Sequence, residues 1–490
     1  MKNIIVLGSG SAGLVTAICL KQTFPEYIIR VIESDSIGII GVGESSTEQW
    51  RQFIEYCNID LKRLLRETDA TLKKGIKFEN WNGDGNSYFH SIDGNFYYQN
   101  NYVNTYNHMQ SLIVNDIKTE DVLCDTNLIE YGGGIFTTNQ YQFNTFKLNE
   151  FLHTISKERG ITFIKCDIKD VTLNEFGDVD SLVGETGETY TADFFIDSTG
   201  FKRVISNKLG VKWVSYGKYL PMNHALAFPT KDISDLKPYT LARCLGSGWN
   251  WRIATTGRHG NGYVFCDSFI NPTQAHDEIQ SLYDEEVVVA KDIKFEAGRV
   301  DKFWVNNCVS VGLSASFVEP LEATSIGNTI LQAFALCKML PVWKIDRKVS
   351  KIYDSEFIKS FDNIVDFVQL HYITKRNDTE FWKTLPTMME KTDFVKEHLD
   401  LFKKSMPVES LFKGEYLLFR APNWAQVMAG LKLYDIKTMK QNLVDRIGED
   451  GIKNYISEYE KYLSMIETKS YINHAVLLQQ NKIEVKLERK

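Results

Sequence analysis

The chain has 490 residues, of which 43% are hydrophobic and 12% aromatic, and a formal net charge of −7. That length calls for two or three packed modules rather than one core. The negative balance excludes the electrostatic footprint of a nucleic-acid binder or of a protein drawn to anionic membranes, leaving small or neutral partners. The eight cysteines lie far apart without CxxC pairs, so neither a metal site nor a disulfide framework is indicated, and a reduced cytoplasmic thiol set is expected. No run approaches membrane-spanning length.

At the N-terminus, Ile4, Ile5, Val6 and Leu7 read as a buried parallel strand that breaks into Gly8-Ser9-Gly10-Ser11-Ala12-Gly13 before a helix from Leu14 to Leu20. The glycines allow a tight turn, close approach of backbone to a pyrophosphate and close strand–helix packing, and the helix start offers free N–H groups. Removal of this stretch as a signal peptide would destroy the motif. A second strand, Arg30-Val31-Ile32-Glu33, ends in an acid about twenty residues on, where a carboxylate receives ribose hydroxyls. Gly38, Gly41 and Gly43 then mark a loop held close to a cofactor, ahead of a helix through Tyr56.

In Ala70 to Phe78, alternation puts Leu72, Ile76 and Phe78 on one strand face and Lys73, Gly75 and Lys77 on the other. Lys73, Lys74 and Lys77 each read equally as solvated charges, and His90 among aromatics reads as a packed structural residue. Residues 95 to 145 lack periodicity and are expected as an insertion over the site. Leu148 to Ser156 is helical, followed by strands at Gly160 to Lys165, Asp167 to Leu173 and Asp180 to Val183. Phe194 to Asp197 leads into Ser198-Thr199-Gly200, a second strand and glycine turn of the kind that supports the adenosine side of FAD in two-dinucleotide folds. Trp249 and Trp251 share one face of a strand and form a wide wall. Val305 to Val311 is an apolar strand, and a helix runs from about Ile326 to Leu340. Free amides at that helix start suit an anion, whereas the nearby carboxylate of Glu322 would repel one, so backbone and side chain are expected to do separate jobs. From Ser350 the pattern is helical, and the tail from Asn481 is charged and expected to be loose.

Together these passages resemble the flavin-dependent halogenases of the tryptophan-halogenase class over most of residues 1 to 385. Gly8 to Gly13 match the FAD fingerprint, Gly41-Val42-Gly43-Glu44 the flavin loop, and Thr71 to Phe78 the segment whose first lysine is catalytic, which selects Lys73. Phe89-His90-Ser91 matches the active-site histidine. Trp249-Asn250-Trp251-Arg252-Ile253 matches the WxWxIP signature, with Ala254 in place of the proline. Phe317, Pro320, Ser325 and Gly327 fit the FxxPxxxxSxG pattern, Glu322 falls on the active-site glutamate, and Thr324 and Ser325 fall where amides hold halide. Asp366 to Trp382 also matches.

The resemblance implies an α/β (α+β) chain: a Rossmann-like FAD module of the flavoprotein monooxygenase type (1–95, 146–215, 295–345), a mixed-sheet, substrate-covering module (96–145, 216–294) and a helical C-terminal module (346–490). It assigns Gly8, Gly10, Ser11, Ala12, Gly13, Glu33, Gly41, Val42, Gly43, Glu44, Asp197, Gly312 and Ile326 to FAD. Lys73, Glu322 and His90 are catalytic, and Trp249, Trp251, Phe317 and Pro320 partition substrate from flavin. The implied reaction turns halide into hypohalous acid with reduced FAD and O2, and Lys73 delivers the oxidant to an aromatic substrate. Phe412-Lys413-Gly414-Glu415-Tyr416 is shorter and differently charged than the clamp of members acting on free tryptophan, so another electron-rich arene is expected. No second GxGxxG for NAD(P)H is present, which implies a separate flavin reductase. The expected setting is the cytoplasm of a bacterial or phage-infected cell, with a homo-oligomer open as an arrangement. The rival readings are a flavin hydroxylase and a flavin-binding protein without turnover.

Overall fold

The strand Asn3–Leu7 lies in the middle of a six-stranded sheet ordered 304–305, 308–310, 194–197, 3–7, 28–33, 162–165, in a computed structural model that describes residues 2–36, 38, 44–91, 102–120, 122–132, 138–231 and 235–488. All its pairings are parallel except that between 304–305 and 308–310. A parallel sheet buries both faces, which is why this strand is a continuous apolar run. Ile4 and Val6 join the core that holds the helix Ser11–Thr23, and Ile5 and Leu7 join a smaller one with Val171 and Leu182. The Val305 to Val311 stretch is two short strands rather than one, because Asn306 turns the chain at φ 51°.

A second sheet of seven strands runs 291–294, 224–230, 259–265, 248–254, 240–244, 75–79, 87–91, and only the 240–244/75–79 pairing is parallel. Residues 75–91, grouped with the FAD module on sequence grounds, thus belong to the other sheet. The single alternating strand expected over residues 70–78 is in fact two. The N–H of Lys74 leaves the ladder to donate to Pro238 O at 2.7 Å, and Thr71–Lys73 pairs with Gln140–Phe143 in a three-stranded sheet that also holds Glu44–Ser45. That break sets Lys73 in a different sheet from Ile76.

The helix Thr324–Trp343 packs on Ser11–Thr23, and Val349–His371 packs on Thr324–Trp343. Glu380–Met388, Asp393–Lys404, Ala421–Gly430, Ile436–Glu467 and His474–Glu488 complete the helical part. The unpatterned stretch after residue 95 contains the helix Tyr102–Val114, which lies along Ile436–Glu467; Asn481, expected to begin a loose tail, sits inside the last helix. Apolar positions shared between Tyr102–Val114 and its partner make that helix stable without a clean period of its own.

Candidate active site

Gly8 ends the first strand at φ 108°, a left-handed conformation that L side chains avoid, and a Cβ on Gly13 would lie 2.2 Å from Gly8 O. The helix Ser11–Thr23 starts from Gly10 with no side-chain cap and no acidic residue in its first turn, and a Cβ placed on Gly10 meets nothing within 4 Å. An uncapped helix end facing open space is a receptor for a pyrophosphate. Glu33 ends the strand Ile28–Glu33, with His153 Nε2 at 3.4 Å from its carboxylate. Ser11 and Ala12 form the first turn, and Gly312, at φ 60°, packs against Ala12. Overpacking at the Gly13 contact costs about 1–3 kcal/mol, so Gly13→Ala should weaken FAD binding at least about tenfold in a fluorescence titration.

A cavity of about 190 Å³ lies between the seven-stranded sheet and the segment Leu313–Ile326. Ile76, Trp251, Ile253, Phe295, Phe317, Pro320 and Ile326 are among its walls, with Ser45 at one edge. Its largely apolar walls suit a flat ring system such as that of FAD, and the uncapped start of the helix Ser11–Thr23 suits the pyrophosphate of that cofactor. Bound in its reduced form, that cofactor supplies the electrons that activate O2. Gly41, Val42 and Gly43 lie outside the described residues; of Glu44, the backbone is placed, pairing with Phe143. Of the FAD set, Asp197 has both carboxylate oxygens engaged by protein donors, the N–H groups of Thr199, Ile205 and Ser206 and the hydroxyls of Thr199, Ser206 and Ser314, so its side chain shapes the loop after its strand.

The segment after Phe317 is the wall of this cavity. Pro320, Leu321, Ala323, Thr324, Ser325 and Ile326 line it, and between them Glu322 faces the other way, fully buried against two histidines. A 3-10 turn over Pro320–Glu322 followed by Ala323 at φ 55° produces this reversal. The left-handed residue also leaves the amides of the next helix uncapped. Beside them a cavity of about 10 Å³, lined by Thr324, Ser325, Asn328 and Phe317, has room for about one water-sized ion. Phe317 borders both cavities and is held edge-on by Phe201 and Phe295, with ring centroids at 5.5 and 5.1 Å. Of the tryptophan pair, 6.1 Å apart, Trp251 lines the larger cavity; Trp249 instead donates from Nε1 to Glu319 Oε1 at 3.0 Å. Tyr372 OH donates to the same oxygen, and burial pushes the Glu319 carboxyl up to about 7.

On the far side of the wall lies Lys73, fully buried, with Nζ donating to Ser46 O at 2.9 Å. The next residue back, Ser45, lines the flavin-sized cavity. Burial pushes the Lys73 amine down to about 8, and the charge of Glu322 limits the fall. Burial alone would raise Glu322, but His90 and His371 overcome it and hold the carboxyl at about 2.

The hydrogen-bond network specifies the tautomers. Asn423 Oδ1 accepts from the N–H of Arg420, so its Nδ2 donates to His90 Nε2 at 3.1 Å, and His90 Nδ1–H donates to Glu322 at 2.9 Å. His371 Nδ1 lies 3.0 Å from Phe367 O and must carry hydrogen, while its Nε2 is 3.0 Å from Glu322 Oε1.

His371 and Asn423 are site residues that sequence reasoning missed. A helical histidine and an asparagine carry no local signal, and both reach the site only through the packing of the C-terminal helices. Phe367 and Phe419, with ring centroids 5.2 and 6.3 Å from His90, make this chamber aromatic. Phe412 and Tyr416, at the position of the expected clamp, are core residues: Phe412 packs on Trp424 and Tyr416 stacks on Phe357.

A Rossmann-like flavin module whose wall separates a cofactor cavity from a buried lysine and glutamate defines an enzyme of the flavin-dependent halogenase class. The chain belongs to the tryptophan halogenase family, whose model matches residues 3–446. It is 30% identical over 442 residues to the tryptophan 6-halogenase SttH of Streptomyces toxytricini, covering 82% of this chain and 84% of that protein. It is 27% identical over 474 residues to the tryptophan 7-halogenase RebH of Lentzea aerocolonigenes, covering 88% and 89%. Among solved structures, Xcc4156, a flavin-dependent halogenase from Xanthomonas campestris, superposes with a TM-score of 0.82 at 26% identity over 98% of both chains. Among the described residues no helix is long and apolar enough to cross a membrane.

Proposed function

We propose that the protein halogenates an electron-rich aromatic compound other than free tryptophan, using reduced FAD delivered by a separate NAD(P)H-dependent flavin reductase. The observation that carries this reading is the two-faced wall: residues 320–326 line the flavin-sized cavity, and Glu322 alone turns toward the chamber of Lys73. Thr324 and Ser325 hold halide at the uncapped helix end. Hypohalous acid formed on the cavity side reaches Lys73, whose amine, held near 8, offers both a hydrogen-bond donor and a neutral nucleophile at working pH. Glu322 stabilises the positive charge that develops on the arene and takes up its proton, while His90 fixes the carboxylate from one side. Burial of Phe412 and Tyr416 as packed core residues supports an arene without an amino-acid clamp.

The test is purified protein with chemically reduced FAD, O2 and chloride, bromide or iodide, offered a panel of phenols, indoles and pyrroles and read by mass spectrometry. Halogenated product that needs all three co-reactants, and no reductase, is the expected result. An oxygenated product that forms without halide would make the protein a hydroxylase. No turnover at all would leave a flavin-binding protein.

A further inference from the structure

The family match ends at residue 446, and the chain beyond it returns to the strand that carries Lys73. Tyr471–Asn473 pairs antiparallel with Leu128–Glu130, and the backbone N–H of His474 donates to Asn127 O at 2.7 Å. The His474 side chain is fully buried, with Nδ1 2.8 Å from Leu236 O and Nε2 3.1 Å from the backbone N of Leu72. Both partners are backbone groups of fixed polarity. A carbonyl can only accept, so Nδ1 carries the ring hydrogen; an N–H can only donate, so Nε2 is bare. The imidazole is therefore neutral and bolts residue 72 to residue 236.

Leu72 needs such a partner because Thr71–Lys73 is the outer strand of its three-stranded sheet. Its other anchors include Thr71 Oγ1, donating to Ala254 O at 2.6 Å and accepting from Gln142 Nε2, and the N–H of Lys74, donating to Pro238 O at 2.7 Å. His474 is the member of this set that arrives from the far end of the chain, 402 positions away.

We propose that His474 is a positioning residue for Lys73: by holding the amide of residue 72 it keeps the neighbouring ammonium 2.9 Å from Ser46 O and in the field of Glu322. The inference rests on the reading of Lys73 as the group that delivers the oxidant. His474 lines neither of the two cavities, so its loss alters delivery and not oxidant formation.

The full-length protein is compared with His474→Phe and His474→Leu, which fill the volume without either hydrogen bond. His474→Gln offers an amide oxygen to Leu72 and an amide N–H to Leu236. With chemically reduced FAD, O2 and bromide, two quantities are read: oxidant caught by a β-diketone trap and bromination of a phenol or indole probe. Trap oxidation should stay within about twofold of wild type in all three variants, the sites being separate. Arene product per trapped oxidant should fall at least about tenfold in the Phe and Leu variants and recover to within about threefold in the Gln variant. Unchanged product per oxidant in the Phe and Leu variants overturns the proposal, and so does a Gln variant no better than they are. Wild-type protein that forms no bromide-dependent oxidant would instead refute the halogenase reading itself.

Discussion

Lys73→Met should lose arene halogenation by about a thousandfold, the scale of a positioned acid–base group, while halide-dependent oxidation of a small diffusible trap continues near the wild-type rate. Lys73 lies across the wall from the flavin-sized cavity, so oxidant formation does not need its amine and delivery does. The same substitution should stabilise the fold. The unfolded chain holds the lysine proton up to its ordinary 10.5, whereas the buried amine loses it at about 8. Between those values the unfolded state binds more protons, so native stability rises with pH, and below about 8 the native state carries the whole penalty, roughly 3 kcal/mol. Lys73→Met removes that penalty with a chain of similar length, at the cost of the donor to Ser46 O, while Glu322 keeps its two histidines. Denaturant unfolding should therefore place the variant above wild type at pH 7, with the gap closing toward pH 10.5. A variant that halogenates at the wild-type rate, or one less stable than wild type at pH 7, would show that the ammonium is not held under strain for catalysis.

Much of this site is legible in the chain because its signals are local. Ile4 to Gly13 encode a buried strand, a turn and a helix start within ten residues, and the structure has all three where the apolar run and the glycines place them. Pro320 to Ser325 likewise announces a break followed by a helix. Lys73 is different. Alternation across residues 72–78 cannot separate it from Lys77, and the break at residue 74, where the N–H turns to Pro238 O, is a tertiary contact with no local trace. Resemblance to a family distinguished Lys73 where periodicity could not. Asp197 carries a nucleotide-binding signal as an acid at the end of a parallel strand, and the six hydrogen bonds of its carboxylate, five from the loop and helix that follow and one from Ser314, are not legible in that signal. His371, Asn423 and His474 were invisible because each finds its partner far away in sequence: Asn423 meets His90 across 333 positions and His474 meets Leu72 across 402. Side chains that complete an active site from distant helices have no spacing rule to betray them.

Glu322→Gln should preserve the fold and the bound flavin yet cut halogenation by about 10²–10⁴-fold, the scale expected for loss of a positioned base. The amide suits the site sterically and in hydrogen bonding. Its oxygen still accepts from His90 Nδ1–H, and its NH2 group can donate to His371 Nε2, 3.0 Å from the carboxylate in wild type. What disappears is the charge. Glu322 is held at about 2, so it stays ionised throughout the neutral range and contributes no acid limb to the rate there. A carboxylate in that state both stabilises the cation formed when the arene accepts halogen and removes the proton that restores aromaticity. With the carboxylate present, proton loss follows halogen transfer quickly and deuterium at the reacting carbon changes little. With glutamine, proton loss becomes the slow step and a primary isotope effect appears. The Lys73 amine should fall further as well, because the charge of Glu322 is what limits its descent. Competition between protiated and deuterated arene in wild type and Glu322→Gln measures this directly. A variant that turns over at the wild-type rate without an isotope effect would show that the proton leaves by another route and that Glu322 serves only to hold its two histidines.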